Sequence, residues 1–411
     1  MKYISAVIIG AGQAGLAMSH SLTKRGIRHV VLERGEVAQS WTHQRWDSLR
    51  LLTPNWQCRL PGFAYTGDNP DGFMSKEEIA VHLGEYAAVS GAPIETRTQV
   101  QSVTAEGQGY RVQTDRGDWT CARVILANGA CTLANVPACA ADVPAAVTQM
   151  TALDYRNPDQ LAPGPVMVVG ASATGVQLAA EIRAAGHEVF LSTGEHIRMP
   201  RHYRGKDIQW WMDRAGILSE ATDAVDDLDR ARRLPSLQLM GSMRRRFSDL
   251  NMLTDAGVEI VGRLSMVRDG TALFSGGLAN HCALSDLKMN RLLDTLDAWA
   301  DTQGLAGVAP VERFEGTRFP AAPRLTLDMS GGRVRTILWA TGFRPDYRWL
   351  HLPVFDRKGA LSHTEGRVAP GLYALGLPFM RRRNSALLDG VGADAEAHAD
   401  HILQLQSRLA A

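Results

Sequence analysis

Apolar and polar positions along the chain trace the same pattern twice. In "YISAVIIGAGQAGLAMSHSLTKRGIRHVVLERG", residues 3–35, a short continuous apolar run leads into a glycine turn, then apolar positions at helical spacing, then a second apolar run. "VMVVGASATGVQLAAEI", residues 166–182, followed by "HEVFLSTG", residues 187–194, repeats that order. Runs of this length suit strands buried on both faces, so each passage predicts a strand, tight turn, helix and parallel strand. Between them lies an irregular stretch rich in Trp, Pro and Gly, "SWTHQRWDSLRLLTPNWQCRLPGF", residues 40–63. Helical periodicity returns in "SKEEIAVHLGEYAAVSG", and two strand-like segments follow in "GYRVQTDRGDWTCARVILANG".

The segments "ANVPACAADVPAAV" and "NPDQLAPG" read as linkers. Helical character is expected over roughly 205–255 and again over 284–303. "VRTILWATGF", residues 334–343, reads as a strand, and a final helix closes the chain. Because "ILWATG" resembles "VILANG", the C-terminal segment is expected to return to the first domain. The expected fold is α/β, with two Rossmann-like dinucleotide-binding domains, the second inserted in the first. The boundaries predicted are 1–155 and 329–411 for the first domain and 156–328 for the second, with a helical insert near 205–255.

Composition narrows the partners. At 411 residues and 45% apolar content the chain can bury a large core, and 44 Lys and Arg against 43 Asp and Glu give no electrostatic case for nucleic acid. The opening apolar run is only strand length, so no membrane segment is predicted and a cytoplasmic location is expected. The five cysteines form neither a CxxC pair nor a metal-ligand pattern with the histidines.

In the first turn Gly10 permits the bend, Gly12 lets the backbone approach a pyrophosphate and Gly15 lets helix and strand pack closely. Glu33 ends the next strand, placed to accept ribose hydroxyls and to disfavour a 2′-phosphate, so FAD or NAD is the expected ligand. The second turn offers Gly170, Ser172 and Gly175, but Ser192 and Thr193 stand where the acid stood. Beyond them "RMPRHYRGKD" brings Arg198, Arg201 and Arg204 close by. Guanidinium without a competing acid suits the 2′-phosphate of NADPH. The triplets Arg244 to Arg246 and Arg381 to Arg383 read as surface charge, and Trp210 and Trp211 as core packing or a channel lining.

Together, "GAGQAG" with Glu33, the Trp-rich loop, "GASATG", "ILWATGFRPD" and "GLYALGLP" resemble the class B flavin-dependent monooxygenases over nearly the whole chain. "RMPRHYRGKDIQWWMDRAG" is similar to a bacterial subgroup of NAD(P)-binding oxidoreductases. The resemblance implies that NADPH reduces FAD and that O2 adds to the flavin as a C4a-(hydro)peroxyflavin. One oxygen atom then passes to a small organic substrate, and a homodimer is the candidate assembly. Gly10, Gly12, Gly15, Glu33, Trp41 and Gly129 would hold FAD. Gly170, Ser172, Gly175 and the three arginines would hold NADPH, with Thr341 and Gly342 passing near the dinucleotides and Gly376 and Leu377 at the flavin edge. Asn55 resembles the asparagine beside the flavin, and equally reads as a cap on the turn after Pro54.

Two departures stand out. The fingerprint that should end in His-x-x-x-Trp or Tyr reads "VTQMTALDYRNP", with Thr151 for the histidine and Tyr155 at the end. The early Ala-Thr-Gly is Ala127, Asn128, Gly129. The alternatives are a flavin reductase or oxidase releasing H2O2, and a non-catalytic redox-sensing flavoprotein.

Overall fold

In this computed structural model, which describes residues 2–244, 246–305 and 307–410, two sheets, one parallel and one mixed around a parallel centre, carry the two predicted units. The first runs in the order Arg367–Ala369, Leu372–Ala374, Trp119–Leu126, Lys2–Ile9, His29–Leu32, Ile94–Glu95, with the hairpin Val100–Glu106 and Gly109–Thr114 leaning off Trp119–Leu126. Helices Gln13–Lys24 and Leu388–Ala410 cover one of its faces, where Leu16, Leu22, Val391 and Ile402 share one apolar cluster with Ile8.

The second sheet is Thr148–Thr151, Thr336–Trp339, Val166–Val169, Val189–Thr193, Glu259–Gly262, every neighbour parallel. Its central strands are buried on both faces, which is why their sequences run apolar without alternation.

This topology moves both expected boundaries. The strand Thr148–Thr151 was predicted within the first domain, and Thr336–Trp339 was predicted to return to it; both lie in the second sheet. "ILWATG" and "VILANG" resemble each other because they are equivalent strands of different sheets. Each pairs in parallel with the strand that precedes a glycine turn. The chain returns to the first sheet only after Gly342, through the small antiparallel pair Phe343–Arg344 with Leu133–Ala134.

The stretch expected to be a helical insert is only partly helical. It holds the short helices Ile208–Arg214, Leu228–Arg232 and Leu250–Asp255, with two-residue strands at His202–Tyr203, Lys206–Asp207 and Leu237–Gln238. The later helical stretch is a single helix, Leu278–Gln303. Among the described residues no helix is long and apolar enough to cross a membrane.

Candidate functional site: two matched glycine cradles

The two glycine turns share one backbone construction. Gly10 N–H donates to the Leu32 carbonyl at 2.8 Å and Gly170 N–H to the Ser192 carbonyl at 2.9 Å. Gly10 has φ +108° and Gly170 φ +110°, and a Cβ at either would lie 2.5 or 2.4 Å from the carbonyl oxygen of Ala127 or Ala340. At Gly15 and Gly175 a Cβ would meet the carbonyl of Gly10 or Gly170 at under 2 Å, so helix and strand touch there without side chains. Ala127 and Ala340 each open one of the two Ala-x-Gly segments, so each segment forms the back wall of one cradle. Gly129 follows Ala127 with open space beside it.

The middle position is different in kind. Gly12 has φ −87° and Ser172 φ −79°, a conformation open to any residue, and nothing lies within 4 Å of a Cβ at Gly12. Serine therefore replaces glycine here without backbone strain. Ser172 stands at the N-cap of helix Ala173–Ala184, and its side chain makes no capping bond. Its hydroxyl remains free to meet a phosphate at the helix N-terminus.

Glu33 accepts the Ala11 N–H at 2.8 Å and the Gly35 N–H at 3.0 Å. The carboxylate is thereby fixed at the rim of the cradle with lone pairs to spare for a ribose diol. Since Leu32 and Ser192 are equivalent by their bonds to the first glycines, Thr193 is the counterpart of Glu33. Its hydroxyl turns back onto the Leu191 carbonyl at 3.4 Å.

The three arginines expected to bind the 2′-phosphate are committed elsewhere. Their side chains are 4%, 2% and 10% exposed for Arg198, Arg201 and Arg204. Arg198 bonds Asp249 at 2.7 Å, Asp286 at 3.0 Å and the Glu315 carbonyl at 2.6 Å. Arg201 bonds Asp207 at 2.8 Å and the Leu52 carbonyl at 2.7 Å, and its guanidinium lies 4.3 Å from the Phe73 ring. Arg204 bonds Asp297 at 2.8 Å and the Ala309 carbonyl at 2.8 Å. A guanidinium taken out of water needs such partners, and these bonds hold the three arginines within the protein, while the Arg201 Nη2 stays buried without one. The other basic runs are also occupied in part: Arg246 pairs with Glu312 and Arg383 with Glu220, while Arg245 lies outside the described residues.

Several expected site residues hold the two domains together. The Thr341 hydroxyl donates to the Asn135 carbonyl, and Gly342 accepts the Asn135 N–H at 2.9 Å. Trp41 packs against the apolar clusters of both sheets. Gly376 sits where a Cβ would be 2.8 Å from that of Ala14, hard against the first cradle's helix, and Leu377 packs on the other face of the first sheet. Just beyond it, the backbone of Arg381–Asn384 forms a ladder with the insert: Thr222 N–H to Arg381 O, Arg383 N–H to Glu220 O and Asn384 N–H to Leu218 O, at 2.9 to 3.1 Å.

Asn55 is buried at the start of a single turn, Asn55–Gln57. Its Nδ2 donates to the Asn69 carbonyl at 2.9 Å, pinning the loop opposite, while its Oδ1 is buried without a partner. No side-chain bond caps the turn after Pro54. Among the described residues five more amide groups hold buried atoms without partners: both ends of the Gln57 amide, Gln209 Oε1, Gln238 Oε1, Asn290 Oδ1 and Asn384 Oδ1. Gln238 spends its Nε2 on the Ala171 carbonyl of the second turn at 2.7 Å, which lays the insert over that cradle. Orphaned buried polar atoms are costly, and beside the second cradle the Gln238 Oε1 is one that a polar ligand would fit. Nothing in the sequence singled out Gln57 or Gln238, since isolated glutamines in irregular stretches carry no pattern.

Beside Asn55 opens a cleft of about 530 Å³, walled on one side by Pro54, Trp56 and Arg59 and on the other by Lys206, Trp210 and Met243 of the insert. The tryptophan pair thus divides its tasks: Trp211 is fully buried and donates to the Tyr203 carbonyl at 2.7 Å, whereas Trp210 faces the cleft. Thr151 bonds Asp154 through its hydroxyl at 2.7 Å, closing a local turn, and buried Tyr155 donates to Glu181 at 2.8 Å. Tyr155 therefore anchors this segment to helix Ala173–Ala184.

The five cysteines are all free, and burial pushes the thiols of Cys58, Cys121 and Cys282 up to about 12. Thiols so far from ionisation are poor nucleophiles for disulfide exchange.

With this geometry in place, the comparisons are informative. A family model described as pyridine nucleotide-disulphide oxidoreductase matches residues 7–212, which include both cradles. An uncharacterised oxidoreductase of Geobacillus kaustophilus, designated CzcO-like, is 30% identical over 406 residues, covering 97% of this chain and 98% of its own. Indole-3-pyruvate monooxygenase YUCCA1 of rice is 30% identical over 181 residues, 43% of this chain and 44% of its own. Among solved structures, a flavin-containing monooxygenase from Stenotrophomonas maltophilia superposes with a TM-score of 0.67 at 20% identity, over 98% of this chain and 99% of that one; it shares the fold. Two dinucleotide cradles of one construction, matched across half the chain by the family model and over nearly its full length by a relative, place this chain in the pyridine nucleotide-disulphide oxidoreductase family of enzymes, as a member with no CxxC pair.

Proposed function

We propose that the chain is an FAD-dependent, NADPH-consuming monooxygenase acting on a small organic substrate. The observation that carries this reading is the pair of matched cradles, one rimmed by the Glu33 carboxylate and the other without an acid. Gly10, Gly12, Gly15 and Glu33 hold FAD, with Trp41, Gly129, Gly376 and Leu377 around it. Gly170, Ser172 and Gly175 hold NADPH, with Thr341 and Gly342 fixing the wall between the domains. FAD, when held there, would supply the redox chemistry that links NADPH to O2.

The chain's own residues position and shelter that chemistry. The Trp-rich loop and the insert exclude water, and the cleft between Trp56 and Trp210 admits the substrate; about 530 Å³ suits a small molecule. Asn55, buried between the cleft residues Pro54 and Trp56, has one Nδ2 proton left after its bond to Asn69, which makes it a candidate donor to oxygen chemistry. Thr151, closed onto Asp154, supplies no proton donor in the histidine's place.

The test is aerobic turnover with a panel of soft nucleophiles and ketones. The purified protein is expected to be yellow, its flavin reduced faster by NADPH than by NADH, with NADPH consumption matched by oxygenated product. Consumption matched instead by H2O2 for every substrate supports the oxidase reading, and a flavin reduced by neither nucleotide supports the sensor reading. In Asn55→Ala, NADPH oxidation should persist while product formation falls by about 100-fold, the usual effect of removing one donor to a developing negative charge. Equal loss of both activities would mean that Asn55 only shapes the loop.

A further inference from the structure

The second cradle lacks an acid, and the nearby arginines are spent, which leaves open what receives the adenosine 2′-phosphate. We infer that Arg263 is that residue, the specificity determinant for NADPH; the inference rests on the cofactor reading above.

The register of the second sheet places it. Strand Glu259–Gly262 runs parallel to Val189–Thr193, with Gly262 opposite Thr193, so Arg263 comes out level with Gly194, one residue past the counterpart of Glu33. Its side chain crosses the face of Gly194: a Cβ there would meet the Arg263 Cδ, Cγ and Cβ at 3.4, 3.5 and 3.7 Å. The stem is thus laid along the carboxyl end of the strand where a Rossmann fold seats its adenosine ribose.

Three local facts suit this role. Among the described residues Arg263 makes no side-chain hydrogen bond or ion pair, in contrast to buried Arg198, Arg201 and Arg204. Its backbone is fixed, since its carbonyl accepts the Ser275 N–H at 2.8 Å, so the guanidinium swings from an anchored base. The carboxylates nearest this strand end are already paired: Glu195, next to Gly194, with Lys288 at 2.7 Å, and Glu259, on the same strand, with Arg324 at 2.6 Å. A free guanidinium on an anchored strand end, beside a glycine that leaves room, is a receptor for a phosphate dianion.

The arrangement also explains why local spacing in the sequence does not point to Arg263. The 2′-phosphate reader comes from the adjacent strand, 70 residues after Thr193, and not from the loop that follows it.

The experiment uses the holoenzyme and two probes, 2′,5′-ADP and 5′-AMP, by calorimetry, alongside stopped-flow flavin reduction by NADPH and NADH. Wild type is expected to bind 2′,5′-ADP more tightly than 5′-AMP. Arg263→Gln should lose about tenfold to a hundredfold of that discrimination, the worth of a charge-assisted contact, with 5′-AMP binding unchanged. Arg263→Lys should recover part of it, and the ratio of NADPH to NADH rates should follow. Wild-type discrimination surviving intact in Arg263→Gln would overturn the inference alone. A wild type that does not distinguish the probes would overturn the NADPH reading and Arg263 with it.

Discussion

Gly10→Val should purify without flavin, whereas Gly170→Val should purify yellow and resist reduction by NADPH. The two glycines have the same backbone, φ +108° and +110°, and the same obstacle, an alanine carbonyl 2.5 or 2.4 Å from the position of a Cβ. A branched side chain must therefore distort the turn at either site by the same mechanism. Backbone strain of this kind costs about 1–3 kcal/mol before the clash is counted, and each 1.4 kcal/mol is tenfold in affinity. Loss of roughly 100-fold or more in flavin retention, or in the NADPH reduction rate, is the expected size. Flavin content and anaerobic reduction separate the outcomes, with circular dichroism confirming that both variants fold. Yellow Gly10→Val protein, or Gly170→Val protein reduced normally, would exchange or dissolve the roles assigned to the two cradles.

Arg198→Ala should cost about 3–5 kcal/mol of stability and leave the preference for NADPH over NADH untouched. Removing one partner of a buried ionic cluster strands the others, and that is the expensive step. Here the stranded groups are Asp249, Asp286 and the Glu315 carbonyl, all bonded to one guanidinium whose side chain is 4% exposed. Asp249 also caps helix Leu250–Asp255 by accepting the Met252 N–H at 2.9 Å, so the damage spreads to that helix. Denaturant unfolding gives the energy and stopped-flow reduction gives the preference. An unchanged midpoint with a collapsed preference would return Arg198 to the phosphate.

The ion pairs of the arginines show where sequence reasoning gives out. Local spacing carries the cradles, because strand, turn and helix lie within about twenty residues and each glycine has a steric reason to be there. It does not carry partners. Asp249, Asp286 and Asp297 stand 51, 88 and 93 residues from the arginines they neutralise, and only the fold brings them together. The Ala-x-Gly segments fail in a related way. Their likeness is real, but it marks equivalent strands of two sheets, and likeness alone does not say to which sheet a strand belongs. Gln57 and Gln238 were invisible for a simpler reason: their interest lies in amide atoms that burial leaves without partners.

The ladder between Leu218–Thr222 and Arg381–Asn384 has a mechanical consequence. The two sheets are hinged by the strands near Ala134 and Phe343 and by the bonds of Asp47 with Arg156 and Asn157. The ladder, with the ion pair of Arg383 and Glu220, adds a latch between the insert and the C-terminal segment. A door held at both edges flexes but does not swing. Opening the two domains then depends on releasing a handful of amide bonds of the insert, so Glu220→Ala should be felt first in how fast a bound nucleotide is released.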